Sequence, residues 1–172
     1  MTTVFVAQPA GQVRHARIDS PIGELTLLAD DAALLKVCFA GAVEPIVGAW
    51  GPRAELAQHP VLGAAAAQLS EYFAGERTAF TLPLRPGGTP FQEAAWQALI
   101  GIPYGQTRSY AAQAAALGRP TAVRAVGGAN NRNPLPIVIP CHRVLGASGA
   151  LTGYAGGLPV KEFLLRLEGV LL

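Results

Sequence analysis

In the run Pro140-Cys141-His142-Arg143 a thiol, an imidazole and a guanidinium directly follow a proline. A thiolate is a strong nucleophile, and a proton-accepting or positive neighbour is what makes one from a thiol. Ile137-Val138-Ile139 before the run and Val144-Leu145 after it predict short buried strands on either side. Pro140 cannot donate to a ladder, so the first strand breaks or reaches an edge there. A free cysteine in an apolar run is commonly a packed core thiol. Two polar side chains in succession argue against that for Cys141, because a core strand rarely carries both. Adjacent residues of an extended chain point to opposite faces. His142 therefore reaches Cys141 only through a bend at Pro140 or through a bridging water. Cys38, between Val37 and Phe39, has no such neighbours and is expected to be a core thiol.

The elements that position these groups fall on either side of a linker. Arg85-Pro86-Gly87-Gly88-Thr89-Pro90 is a Pro/Gly cluster of linker composition, and it divides the chain into parts 1–85 and 86–172. In the first part the pattern predicts strands over Arg14–Ile18, Leu25–Leu27 and Leu34–Phe39, separated by turn clusters at Asp19–Gly23 and Asp30-Asp31. A loop with one helical turn spans 41–60. An alanine-rich helix over Leu62–Phe73 stops at Gly75, and a last strand covers Phe80–Leu84. Residues 1–12 show no period and read as an irregular end.

In the second part Thr89 is a good N-cap and Pro90 suits the first helical position. Phe91, Ala95 and Leu99, with Trp96 beside them, give that helix one buried face. Ser109 can cap a helix over Ala111–Leu117. A turn at Gly118-Arg119-Pro120 follows, and Thr121 can cap a second helix running to about Asn131. Two short helices joined by a glycine-containing turn are the helix-turn-helix pattern. A last helix over Val160–Leu167 leaves Glu168 at its C-terminal end. The ordinary reading there is an exposed carboxylate, and its opposition to the helix dipole gives a mild reason to look for a partner.

The second helix of the pair has an unusual face. Counting from Arg124, the positions three, four and seven residues on are Gly127, Gly128 and Asn131, so an arginine is followed by almost no side chain. Each interior glycine costs about 0.8–1 kcal/mol relative to alanine. Either the helix ends at Gly127, or its face must come very close to something; the second reading is preferred. An ordinary recognition helix carries Arg, Asn or Gln to read base edges. A face of Gly and Ala cannot do so, but it can lie on a sugar-phosphate surface or in a minor groove with little sequence preference.

Composition narrows the partners. The chain has 172 residues, 51% of them hydrophobic, and a net charge of +2. The charge is unevenly split: seven Lys/Arg against three Glu in 86–172, and six against eight acidic residues in 1–85. A basic part beside an acidic one suggests a polyanion partner with modest, salt-sensitive affinity. No apolar run approaches the roughly 18–20 residues of a membrane span, and Met1-Thr2-Thr3-Val4-Phe5 lacks the features of a secretory signal. Two cysteines are too few for a disulfide scaffold, and a nucleophilic one needs reducing surroundings. The expected location is cytoplasmic. Cys38, His15 and His59 lack the paired spacing of a zinc site, so no metal is expected.

The cysteine run resembles the active-site signature of the O6-alkylguanine-DNA alkyltransferases, or methylated-DNA–protein-cysteine methyltransferases. The likeness extends from Pro140-Cys141-His142-Arg143-Val144 back through Asn133-Pro134 and Arg124-Ala125-Val126-Gly127-Gly128-Ala129-Asn130 to Ser109-Tyr110. It runs forward through Ser148-Gly149, Gly153-Tyr154 and Gly156-Gly157 to Leu167-Glu168-Gly169. It covers essentially all of 86–172, and 1–85 more loosely.

The resemblance implies an α/β chain: a small ribonuclease-H-like sheet domain over 1–85, then a mainly helical domain over 86–172 with a winged-helix-like helix-turn-helix. It implies single-turnover, irreversible transfer of the alkyl group of O6-alkylguanine, and of O4-alkylthymine, from DNA to Cys141, with no cofactor. A Glu168–His142–water–Cys141 relay would activate the thiol. Double-stranded DNA would be held through its minor groove by Tyr110, Arg124, Ala125, Gly127 and Gly128. Arg124 would fill the stack after a base is flipped, and Tyr110 would crowd the neighbouring phosphate. Asn133, Pro136, Val144, Tyr154 and Ala155 would form the base pocket. Many members have Ser or Gly where this chain has Ala155, which bears on substrate range. A monomer in solution is expected, with cooperative assembly on DNA left open. Two other readings remain: a non-catalytic lesion-binding relative, which would lack the cysteine, and a cysteine hydrolase, in which Cys and His usually lie far apart in sequence.

Overall fold

A computed structural model describes residues 3–6 and 11–172, and the chain divides into two compact units, Met1–Pro86 and Gly87–Leu172. The first unit is a five-stranded sheet with one long helix. Its strands are β1 (Val4–Phe5), β2 (Arg14–Ile18), β3 (Leu25–Ala29), β4 (Leu34–Cys38) and β5 (Pro83–Leu84), in the order β1-β5-β4-β3-β2. β2, β3 and β4 form an antiparallel meander, whereas β5 pairs parallel with both β4 and β1. Every residue of β3 is buried, as a central strand requires.

α1 (Pro60–Phe73) lies between β4 and β5 in sequence and packs on β3 through a stripe that includes Leu62, Ala65, Leu69 and Tyr72. His59 caps it, its Nδ1 accepting from the Leu62 N–H at 3.2 Å. Gly75 turns the chain after it at a φ of +76°.

Two expectations for this unit need correction. The stretch read as an irregular end contributes β1, which a two-residue strand could not announce by periodicity; residues 1–2 and 7–10 of that stretch lie outside the described residues. The last strand is shorter than Phe80–Leu84, because Thr81 N–H is taken by the Gln68 side chain at 2.9 Å instead of a neighbouring strand. Cys38 is half-buried, and burial pushes its thiol pKa up, with Lys36 opposing.

The second unit is mainly helical. α2 (Pro90–Ile100) begins with a full capping box: Thr89 Oγ1 accepts from Gln92 N–H, and the Gln92 side chain accepts from Thr89 N–H. Ala95, Trp96 and Leu99 are its buried face. β6 (Arg108–Ser109) leads into α3 (Tyr110–Ala116), whose N-cap is Ser109, its hydroxyl accepting from Ala112 N–H at 3.0 Å. α4 (Val123–Asn131) packs on both α2 and α3. Then come β7 (Val144–Leu145), parallel to β6, and α5 (Leu158–Leu167).

The helix-turn-helix is thus present, but Thr121 is not its second cap. Ala122 N–H bonds to Arg119 C=O at 2.9 Å, so the turn runs one residue longer and Ala122 takes the cap position without a side-chain acceptor. A buried amide pair fixes the two helices, Gln113 Nε2 donating to Asn130 Oδ1 at 2.9 Å and Asn130 Nδ2 to Gln113 Oε1 at 2.8 Å.

Candidate active site

Ile137–Ile139 is not a strand. The chain makes a tight turn closed by Ile139 N–H to Leu135 C=O at 2.8 Å. The β-branched run favours a strand, but Pro134 and Pro136 offer no ladder donors, and Asn133 captures groups on both sides of the turn. Its Oδ1 accepts from Leu135 N–H at 2.9 Å, and its Nδ2 donates to Ile139 C=O at 2.8 Å. Ile137, fully buried, sits at a φ of +74°, a region that disfavours an L-residue by roughly 1–2 kcal/mol.

Past Pro140 the chain coils rather than extends. Cys141–Arg143 is one 3₁₀ turn, so the alternation expected of an extended segment does not apply. Asn133 Nδ2 also lies 3.2 Å from Cys141 Sγ. One amide therefore fixes both the turn and the thiol. Burial pushes the Cys141 pKa up, opposed by the Asn133 hydrogen bond and the charge of Lys161; the resting group is a thiol.

His142 is fully buried, and its Nε2 lies 2.7 Å from Glu168 Oε1. Glu168 caps the C-terminal end of α5 and is 5% exposed. Arg143, also buried, grips the same carboxylate: Nε donates to Oε2 and Nη2 to Oε1, both at 2.9 Å, while Nη1 donates to Ile102 C=O at 2.6 Å. Burial alone would raise the Glu168 carboxyl. The hydrogen bonds and charges of His142 and Arg143 outweigh it and hold the pKa at about 2.

Glu168 is therefore an anion at neutral pH, and His142 must donate to it from Nε2. That leaves Nδ1 as the bare acceptor; it is buried without a hydrogen-bond partner among the described residues. Burial lowers the His142 pKa, with Glu168 opposing, so the resting imidazole is neutral and able to take a proton.

Lys161 was not foreseen from sequence. It is fully buried in α5, its Nζ donating to Val144 C=O at 2.8 Å and Thr152 C=O at 2.9 Å. Burial lowers its pKa, with Cys141 opposing. Replacing it with methionine keeps the bulk but strands those carbonyls. Lys161→Met is expected to destabilise the chain by about 3 kcal/mol, read as a lower urea midpoint; an unchanged midpoint would mean the ammonium is not structural.

The cavity against the thiol measures about 10 Å³ and is lined by Cys141, by Gly153, Tyr154 and Ala155, and by Tyr110, Asn130 and Asn131. Of the anticipated pocket residues, Tyr154 and Ala155 line it. Asn133, Pro136 and Val144 are buried and do not.

On α4, Arg124 and Ala125 are exposed, and the helix continues through both glycines to Asn131. Neither glycine has a positive φ, a Cβ at Gly128 would meet nothing within 4 Å, and one at Gly127 would meet only the Tyr110 ring, at 4.0 Å. Neither backbone nor packing within the described residues demands glycine there.

Site and scaffold together define a helix-turn-helix protein with a buried cysteine followed directly in sequence by a buried histidine and arginine that share one carboxylate. Residues 13–86 match the 6-O-methylguanine DNA methyltransferase, ribonuclease-like domain, and residues 90–170 the 6-O-methylguanine DNA methyltransferase, DNA binding domain. The chain belongs to this family. It is 48% identical to the methylated-DNA–protein-cysteine methyltransferase of Methanosarcina acetivorans, over 90% of this chain and 97% of that one. It is 49% identical to the constitutive enzyme of Bacillus subtilis, over 91% and 95%. The crystal structure of Mycobacterium tuberculosis OGT in complex with DNA aligns with a TM-score of 0.80 and 46% identity, covering 91% of each chain.

Two features of the site escaped the sequence. Arg143 was noticed only as a charge near the thiol, and its grip on Glu168 required the fold. Lys161 reads as an ordinary surface lysine on an amphipathic helix.

Proposed function

We propose that this protein repairs DNA by moving the alkyl group of O6-alkylguanine, and of O4-alkylthymine, irreversibly onto Cys141. The observation that carries this reading is the buried chain from Arg143 through Glu168 to His142, which leaves one unprotonated nitrogen, Nδ1, in the turn that holds the thiol. The target oxygen lies inside the duplex, so the base is flipped out to reach the sulfur.

The Cys141 proton passes to His142 Nδ1 through a bridging water, and the Glu168 carboxylate stabilises the imidazolium that forms. The sulfur attacks the alkyl carbon. The S–C bond forms as the C–O6 bond breaks, and the electron pair leaves with the guanine. The departing base gains a proton as the thiol loses one. A thioether is a poor leaving group, so each molecule acts once. The chemistry asks for no cofactor.

DNA is engaged by α4 through the minor groove, with little sequence preference, because Ala125, Gly127 and Gly128 offer approach without readout. Arg124 occupies the space left by the flipped base, and Tyr110 faces the neighbouring phosphate. The second unit carries both DNA binding and transfer. Asn133 holds the thiol, Val144 and Pro136 back the pocket, and Tyr154 and Ala155 meet the base. The protein acts as a monomer, in a reducing cytoplasm that keeps Cys141 free.

The test is a duplex carrying one O6-methylguanine. The wild type should restore guanine, whereas Cys141→Ala should restore none while still binding the duplex. Guanine recovery by Cys141→Ala would remove the cysteine from the mechanism.

A further inference from the structure

We propose that Thr152 determines specificity by clasping Tyr110 across the mouth of the base pocket, so that the thiol admits an alkylated base only once DNA has engaged Tyr110. This rests on the function proposed above.

The cavity at Cys141, about 10 Å³, holds roughly one water, whereas ligand pockets start near 300 Å³. A base enters only if a wall moves. Tyr110 is one wall; Gly153, Tyr154 and Ala155, which directly follow Thr152, form another. The Thr152 hydroxyl donates to the Tyr110 hydroxyl at 3.2 Å and so joins the two.

Both ends of this tie are anchored. The buried Lys161 ammonium holds the Thr152 carbonyl. Tyr110 directly follows Ser109, which is paired in register with Leu145, and its ring lies against the bare face at Gly127. The movable part is therefore the phenol and its hydrogen bond to Thr152. That bond is solvent-exposed, so a phosphate oxygen can replace it at little cost. DNA brings a phosphate to Tyr110, and a free alkylated base does not. A single-use thiol is thereby kept from base-sized ligands outside DNA.

Thr152→Val keeps the shape and removes the hydroxyl. With free O6-methylguanine base, methylation of Cys141 followed by mass should be roughly three- to tenfold faster than in the wild type. Transfer from duplex should stay within about twofold. Tyr110→Phe should show the same free-base gain, and the double variant no more than either single one, because both remove one contact. An unchanged free-base rate in a duplex-competent protein sinks the clasp alone, as do summed gains in the double variant. Equal losses on free base and duplex would make Thr152 merely structural. A wild type that takes no methyl from duplex sinks the proposed function and the clasp with it.

Discussion

Glu168→Gln is expected to slow alkyl transfer on the order of 10²-fold and to destabilise the chain by about 3–5 kcal/mol. The two losses have different origins. Transfer suffers because a neutral amide no longer stabilises the imidazolium formed at His142. Stability suffers because the buried Arg143 guanidinium loses the carboxylate that accepts from its Nε and Nη2. Single-turnover kinetics and urea unfolding separate them, and wild-type behaviour in either would break the corresponding half of the argument.

The same carboxylate sets an acid dependence. Its folded pKa of about 2 lies below the 4.5 of an unperturbed group, so its stabilisation is complete above the unfolded value and is lost as pH falls through the folded one. About 3 kcal/mol should disappear between roughly pH 4.5 and 2, and Glu168→Gln should lack that component. The thiol reports on the relay separately. Burial holds Cys141 protonated, so iodoacetamide labelling of the wild type should still be rising above neutral pH. In Glu168→Gln and His142→Ala the profile should shift upward; an unshifted profile in both would mean the relay does not act on the sulfur.

Arg124→Ala should cripple repair of duplex, on the order of 10²-fold, while leaving transfer from free alkylated base within about twofold. Arg124 is exposed at the start of the bare face of α4 and takes no part in the Asn133 hydrogen bonds that hold the thiol. Its removal should raise the free energy of flipping a base without touching the chemistry. The ratio of the duplex and free-base rates is the readout. Equal losses on both substrates would place Arg124 in the transfer step and refute the finger role.

The site was legible where a residue type carries its own constraint. Pro140 announced a bend before the thiol, and Thr89 and Ser109 announced helix starts; each appears in the structure. The two glycines of α4 were legible as a bare face for the same reason, since glycine in a helix interior disfavours the helix and needs a cause. What failed depended on long-range partners. Ile137–Ile139 has strand composition, yet the Asn133 side chain holds it as a turn. β1 exists only because β5 lies beside it. Lys161 and Arg143 have their roles because the fold buries them against carbonyls and a carboxylate, and no spacing in the chain encodes that.

The central claim is stoichiometric self-alkylation at Cys141, and peptide mass after reaction tests it most directly. The protein is mixed with excess duplex carrying O6-methylguanine, digested and weighed. One methyl should appear on the peptide holding Cys141 and none on that holding Cys38, with repaired guanine reaching a plateau at one equivalent per protein molecule. Turnover beyond one equivalent, a methyl on Cys38, or a folded protein that leaves the duplex unrepaired would contradict the account.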